Sequence, residues 1–175
     1  MDFASWTSFA MGKIRESLRK DSHWSAKLGD KRSTSSVHLA VLVEPYLSYV
    51  LDGTKTVESR FSTRRCAPFG RVESGDIVLL KSASGPVMGL MEVSRMWSFD
   101  LRSKPIGDIR AKFGAELRAD DDFWEAREAA EYATLLRVHA VRAVPPLACP
   151  KKDRRGWVVL SSTRDQLKLP LTARA

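Results

Sequence analysis

A chain of 175 residues with 43% hydrophobic side chains can build one hydrophobic core with some length to spare. Its formal net charge of +8 and pI near 9.8 create a surface field that attracts polyanions, so the expected partner is RNA or another nucleic acid, or a nucleotide-like small molecule. There is no run of about 18 apolar residues, no signal-peptide pattern, and no C-x-x-C or Cys/His cluster around Cys66 or Cys149. A soluble, cytoplasmic, monomeric protein with no membrane contact, no cofactor and no metal site is expected.

In the segment from Asp2 to Lys20, residues Phe3, Trp6, Ala10, Ile14 and Leu18 fall near helical spacing, and Lys13, Arg15, Glu16, Arg19 and Lys20 crowd its second half. This predicts an amphipathic helix with a basic end. Its apolar stripe can pack on its own domain, the commoner outcome, or dock on a partner as an adaptor through Phe3, Trp6 and Ile14. Residues 22–36 turn to Ser, Lys, Asp and Gly and read as a linker, because so polar a segment buries too little apolar area to offset its ordering entropy. Residues 1–36 are thus expected to form an N-terminal extension, 37–160 the domain, and 161–175 a tail.

Val37, Leu39, Val41 and Val43 mark a buried first strand that ends at Glu44-Pro45. Tyr46, Leu47, Val50 and Leu51 then follow at helical spacing, and Gly53 supplies the stop. Further strands are predicted over Thr54–Phe61, Ile77–Lys81, Val87–Val93 and Thr134–Val144, with a closing strand over Gly156–Leu160. Two helices are predicted between the fourth and fifth strands. One is capped near Ser103-x-Pro105 and carries Ile106, Ile109, Phe113 and Leu117; the other runs from about Phe123 to Glu131 after a break at the Asp120–Asp122 run. Strands predominate and no βαβ alternation recurs, so the fold class is α+β, a small mixed β-barrel with short flanking helices and an N-terminal helical extension.

The most unusual stretch is Gly53-Thr54-Lys55-Thr56-Val57-Glu58-Ser59-Arg60, where charges interrupt a strand that must pair inside the domain. With a period of two, Glu58 and Arg60 project from one face, and Lys55 stands at the strand's beginning. A salt-bridged surface strand is the plainer explanation, but exposed pairs contribute only about 0 to 1 kcal/mol, a poor reason for three charges here. The string Gly-x-Lys-x-x-Glu-x-Arg, preceded by Pro45-Tyr46 and followed by the Gly75-Asp76 turn, resembles the signature of the ASCH family of the PUA-like superfamily over about Val37 to Leu160. The resemblance implies a barrel with a cleft lined by these charges and a role in binding RNA, DNA or modified nucleosides.

Some members of that family are amidohydrolases that deacylate cytidine, and one is a proposed ribonuclease. In the amidohydrolase pattern a nucleophilic threonine occupies the position of Glu58. Here a carboxylate stands there, Thr56 is two residues short of it, and Ser59 by alternation faces away from Glu58, so deacylation is not carried over. Lys55 and Glu58 remain candidates for an acid/base pair if the protein is a hydrolase.

Two basic segments flank the motif: Arg60, Arg64, Arg65 and Arg71 after the second strand, and Lys151-Lys152-Asp153-Arg154-Arg155 before the last. If both open on one rim, they form a phosphate-binding collar, with arginines gripping phosphate through paired hydrogen bonds. Tyr46 and Phe61 are candidate platforms for a stacked base, and Lys81 and Ser82 are candidate contacts to a base edge or sugar. Trp157, Trp97, Trp124 and Phe99 read as core. His23, His38 and His139 form no catalytic or metal-binding pattern by spacing.

Overall fold

Residues 2–30 and 32–162 are described by a computed structural model. The expected tail falls outside the described residues beyond Ser162.

Strands β1 (Val37–Leu42) and β3 (Ile77–Ser82) lie side by side and parallel in the interior of a six-stranded sheet. Around them run β2 (Val57–Ser62), β4 (Val87–Asp100), β5 (Tyr132–Leu147) and β6 (Trp157–Ser161), in the order β2-β5-β4-β3-β1-β6, and every pairing except β1·β3 is antiparallel. The sheet curls into a half-barrel with β2 and β6 at its two edges. The apolar runs of β1 and β3 follow from burial on both faces. Val37, Leu39, Ile77 and Leu79 enter one core cluster, while Ala40, Leu42, Val78 and Leu80 enter another on the opposite face.

The first cluster is where the structure departs most from the sequence reading. Helices α1 (Phe3–Ser17) and α2 (Ser22–Gly29) lie on this face, and Trp6, Ala10, Ile14, Leu18, Trp24 and Leu28 enter its core. The expected linker therefore begins with a helix. Asp21 caps it by accepting from the Trp24 amide, and Trp24, 0% exposed, anchors it by donating its indole N–H to the Ala140 carbonyl at 2.7 Å. Trp6 likewise donates to the Ala148 carbonyl at 2.6 Å. The adaptor surface through Phe3, Trp6 and Ile14 is thus corrected: Trp6 and Ile14 are buried and Phe3 packs against the same core.

The opposite face receives α3 (Tyr46–Leu51). Helices α4 (Ile106–Leu117) and α5 (Asp121–Glu125) pack on β2 and β5 through Ile109, Phe113, Leu117, Phe123 and Trp124. Pro105, not Ser103, occupies the N-cap of α4, while the Ser103 hydroxyl donates to the Asp100 carbonyl. The acidic run starts α5 rather than breaking the chain, since Asp120 accepts from the Phe123 amide, and the helix stops at Glu125 instead of Glu131. Strands β4 and β5 extend well past their predicted ends because they pair along most of their lengths. A Cβ on Gly89 would stand 2.6 Å from Leu51 Cδ2 and 2.7 Å from the Arg142 carbonyl oxygen, so this residue lets α3 and β5 close on β4.

Two edges are left open by the curl, and a side chain spans them. Arg60 Nη1 on β2 donates to the carbonyls of Val41 on β1 (3.0 Å) and Gly156 just before β6 (3.2 Å). Below the sheet, His38 on β1 joins Asp76 (3.0 Å) and accepts from the Trp157 indole (3.2 Å), a buried network that assigns the ring proton to Nε2. Among the described residues no helix is long and apolar enough to cross a membrane.

Candidate functional site

The motif reaches its place through local backbone. Gly53 takes φ +82°, a conformation that favours glycine, and the Lys55 amide then bonds the Tyr49 carbonyl at 2.8 Å, which turns the chain from α3 into β2. Glu58 and Arg60 sit opposite Leu136 and Thr134 of β5. As strand alternation predicts, they meet: Glu58 Oε1 lies 3.1 Å from Arg60 Nη2, and its other oxygen lies 3.5 Å from Lys55 Nζ.

All three are more enclosed than a surface ion pair. Lys55 is 2% exposed and Glu58 5%. The Lys55 ammonium donates to the Leu117 carbonyl at 2.9 Å and lies 5.2 Å from the centre of the Tyr46 ring. Loss of water around it pushes the Lys55 pKa below the ordinary lysine range, against the upward pull of Glu58. Arg60 is engaged at the seam and stacks 5.4 Å from the Trp157 ring, so its guanidinium serves the fold as well as the site.

In front of this group lies a cleft of about 280 Å³ lined by Tyr46, Glu58, Ser59, Arg60, Phe61 and Arg127, with Phe123 and residues 41–43 completing it. That volume is near the lower end for small-ligand sites, about 300 Å³. Ser59, expected to face away from Glu58, also lines the cleft. The Ser59 hydroxyl and Arg60 Nε are buried and have no hydrogen-bond partner among the described residues. Arg127, which the sequence reading passed over, is held by a bond to the Phe123 carbonyl (2.7 Å) and lies 3.6 Å from the centre of the Phe123 ring. Burial lowers its pKa, and burial raises that of the Tyr46 hydroxyl, with nearby Asp120 adding to the rise. The four-residue spacing from Phe123 to Arg127 is the signal that could have flagged it. Tyr46 and Phe61 are both at the cleft, edge-on to Phe123.

The expected collar divides. Arg65, Arg71 and Arg155 line a separate groove of about 680 Å³ beside β6, together with Cys66 and Trp157. Arg65 also stacks on Phe69 and Tyr132. Lys151 turns elsewhere: its side chain is 4% exposed, bonds Asp153, and lines a third hollow with Lys81 that shares no residue with the cleft. Lys81 donates to the Ser82 carbonyl, and Ser82 lines neither the hollow nor the cleft. Arg155 pairs through two nitrogens with Asp153, and these bonds hold the Asp153 carboxyl well below the usual carboxylate range. Arg64, Lys152 and Arg154 are exposed. One basic segment therefore feeds two different surfaces, because the loop before β6 turns around Asp153.

No family model matches the chain, and no curated protein matches it. Solved structures do. The crystal structure of ASCH from Zymomonas mobilis superposes with a TM-score of 0.58 at 15% identity, covering 75% of this chain and 92% of that one. A serine-to-alanine mutant of the same protein gives 0.59 at 14% identity over 77% and 94%. A tyrosine-to-phenylalanine mutant gives 0.56 at 15% over 79% and 99%. The class is therefore an α+β fold built on a curled, mixed six-stranded sheet. Within that class, the domain has the fold seen in the ASCH structures from Zymomonas mobilis.

Proposed function

We propose that the cleft between β2, α3 and α5 binds one unpaired base or modified nucleoside, as a free ligand or within RNA. Arg127 and the arginines of the groove beside β6 take the phosphates. The observation that carries this reading is a buried carboxylate at the foot of a cleft whose hydrogen-bonding groups are not all used. Glu58 has both oxygens on cations, yet each retains an accepting lone pair for a base amino group. The Ser59 hydroxyl and Arg60 Nε, from two residues that line the same cleft, have no hydrogen-bond partner among the described residues. A buried polar atom without a partner costs about 1–3 kcal/mol, which a ligand bonding to it would offset. Aromatic walls beside such groups suit a splayed-out base, the usual target of sequence-specific RNA recognition. The ASCH-type fold supports the same reading, through the nucleic-acid and nucleoside binding that the family resemblance implies.

The test is binding to single-stranded RNA, single-stranded DNA, duplex DNA and modified nucleosides by the wild type, Glu58→Gln and Arg127→Ala. Tight binding of one ligand class, weakened about tenfold or more by each variant (~1.4 kcal/mol), is the expected result. Equal binding by all three proteins would remove the cleft from the interaction.

One feature favours a hydrolase: Lys55 is buried 3.5 Å from Glu58, and burial lowers its pKa, the direction that proton transfer by a lysine requires. Against it, the ammonium is covered by Tyr46 and bonded to Leu117, which leaves Glu58 as the group nearer the cleft. Single-turnover incubation with RNA and acylated cytidine separates the readings, since a binding module leaves both intact.

A further inference from the structure

On the face covered by the N-terminal helices, three side chains from three elements converge. His23 lies in the first turn of α2, Glu92 on β4 and His139 on β5, and the β4–β5 register sets Glu92 opposite His139. His23 Nε2 is 2.7 Å from Glu92 Oε2. The two imidazoles meet edge to face with their centres 5.4 Å apart. One donor atom from each of the three residues lies within 4.8 Å of the other two. Lys27, one turn along α2 from His23, holds the second Glu92 oxygen at 3.0 Å.

A plain clamp on α2 would need only His23, Lys27 and Glu92. It does not account for His139, an exposed imidazole that leans on His23 and makes no hydrogen bond through its ring among the described residues. We propose that His23, Glu92 and His139 bind one divalent cation of the zinc class (Zn²⁺, Co²⁺ or Ni²⁺). Two imidazole nitrogens and one carboxylate oxygen are the donor set such ions select, whereas Mg²⁺ and Ca²⁺ take oxygen. Metal–ligand bonds of about 2.0–2.2 Å place tetrahedral donors roughly 3.3 Å apart. The 2.7 Å contact then opens and the wider separations close, within reach of rotations about the side chains of His23 and His139, neither of which is fully buried. Glu92 ligates through Oε2 while Lys27 keeps Oε1, an outer contact that fixes the carboxylate's orientation. Three protein donors leave a fourth position for water or an anion. The ion would tie α2 to β4 and β5 at the point where the N-terminal segment joins the sheet.

Co²⁺ titration of the untagged protein tests the site. The expected result is one equivalent bound with the visible absorption of a four-coordinate ion, displaced by Zn²⁺ and unaffected by Mg²⁺. His139→Ala, at an exposed position, keeps the fold and should weaken Co²⁺ binding more than about tenfold; Glu92→Gln should do the same. No spectral change at one equivalent would overturn the proposal. So would a band of equal strength in His139→Ala, or one carrying the thiolate charge transfer expected if Cys66 or Cys149 were the ligand.

Discussion

Lys55 carries the sharpest consequence at the scale of single residues. Burial lowers its pKa in the folded protein below the reference value of 10.5, so between those two values the unfolded chain holds a proton that the folded chain has released. Stability contributed by this group therefore rises with pH through that window and levels off above 10.5. Lys55→Met removes the titration and leaves Glu58 paired with Arg60. The difference in unfolding free energy, wild type minus variant, should shift toward the wild type as pH rises from neutral to 10.5; a constant difference would mean that the ammonium is solvated. The Lys55, Glu58 and Arg60 cluster was legible in the sequence because the strand period places Glu58 and Arg60 on one face. Arg127 was not, because its position depends on how α5 docks against β2.

The correction at the level of elements is α2. Eight residues, Ser22–Gly29, contain two large apolar side chains, Trp24 and Leu28, and by composition alone such a segment looks solvated. Their four-residue spacing was the only local signal of a buried face. The sheet supplies the rest, an apolar surface built by Leu39, Leu79 and Leu90 and a free carbonyl at Ala140 for the indole N–H. Trp24→Ala should cost about 3–5 kcal/mol in denaturant unfolding, as for other large-to-small core changes. A loss below about 0.5 kcal/mol, the scale of an exposed position, would restore the linker reading. The predicted strands all exist, yet β4 and β5 end where cross-strand pairing ends, a limit that a residue's own preference does not set.

For the molecule as a whole, the net charge of +8 sets the field but not the contacts. Much of the basic surface is already engaged: Arg155 and Lys151 on Asp153, Arg102 on Asp100, Arg142 on Asp21. Arg127 with Arg65 and Arg71, the groove arginines that Asp153 does not hold, suggests about three phosphate contacts, for which the single-strand slope is roughly −2 in log K against log salt. RNA affinity should thus fall roughly 20-fold between about 50 and 200 mM salt. Binding insensitive to salt over that range would confine the ligand to the cleft, as for a free nucleoside.

The order of the strands and of the helices that follow β1, the apolar runs of β1 and β3, and the charged string from Gly53 to Arg60 are properties of neighbouring residues, and the sequence by itself determined them. Which charges share a surface was decided by tertiary structure alone. Lys151 and Arg155, four residues apart, part company around Asp153, while His23, Glu92 and His139, up to 116 positions apart, converge. The reason is physical: periodicity specifies which way a side chain points along its own element, but only packing between elements specifies what it points at.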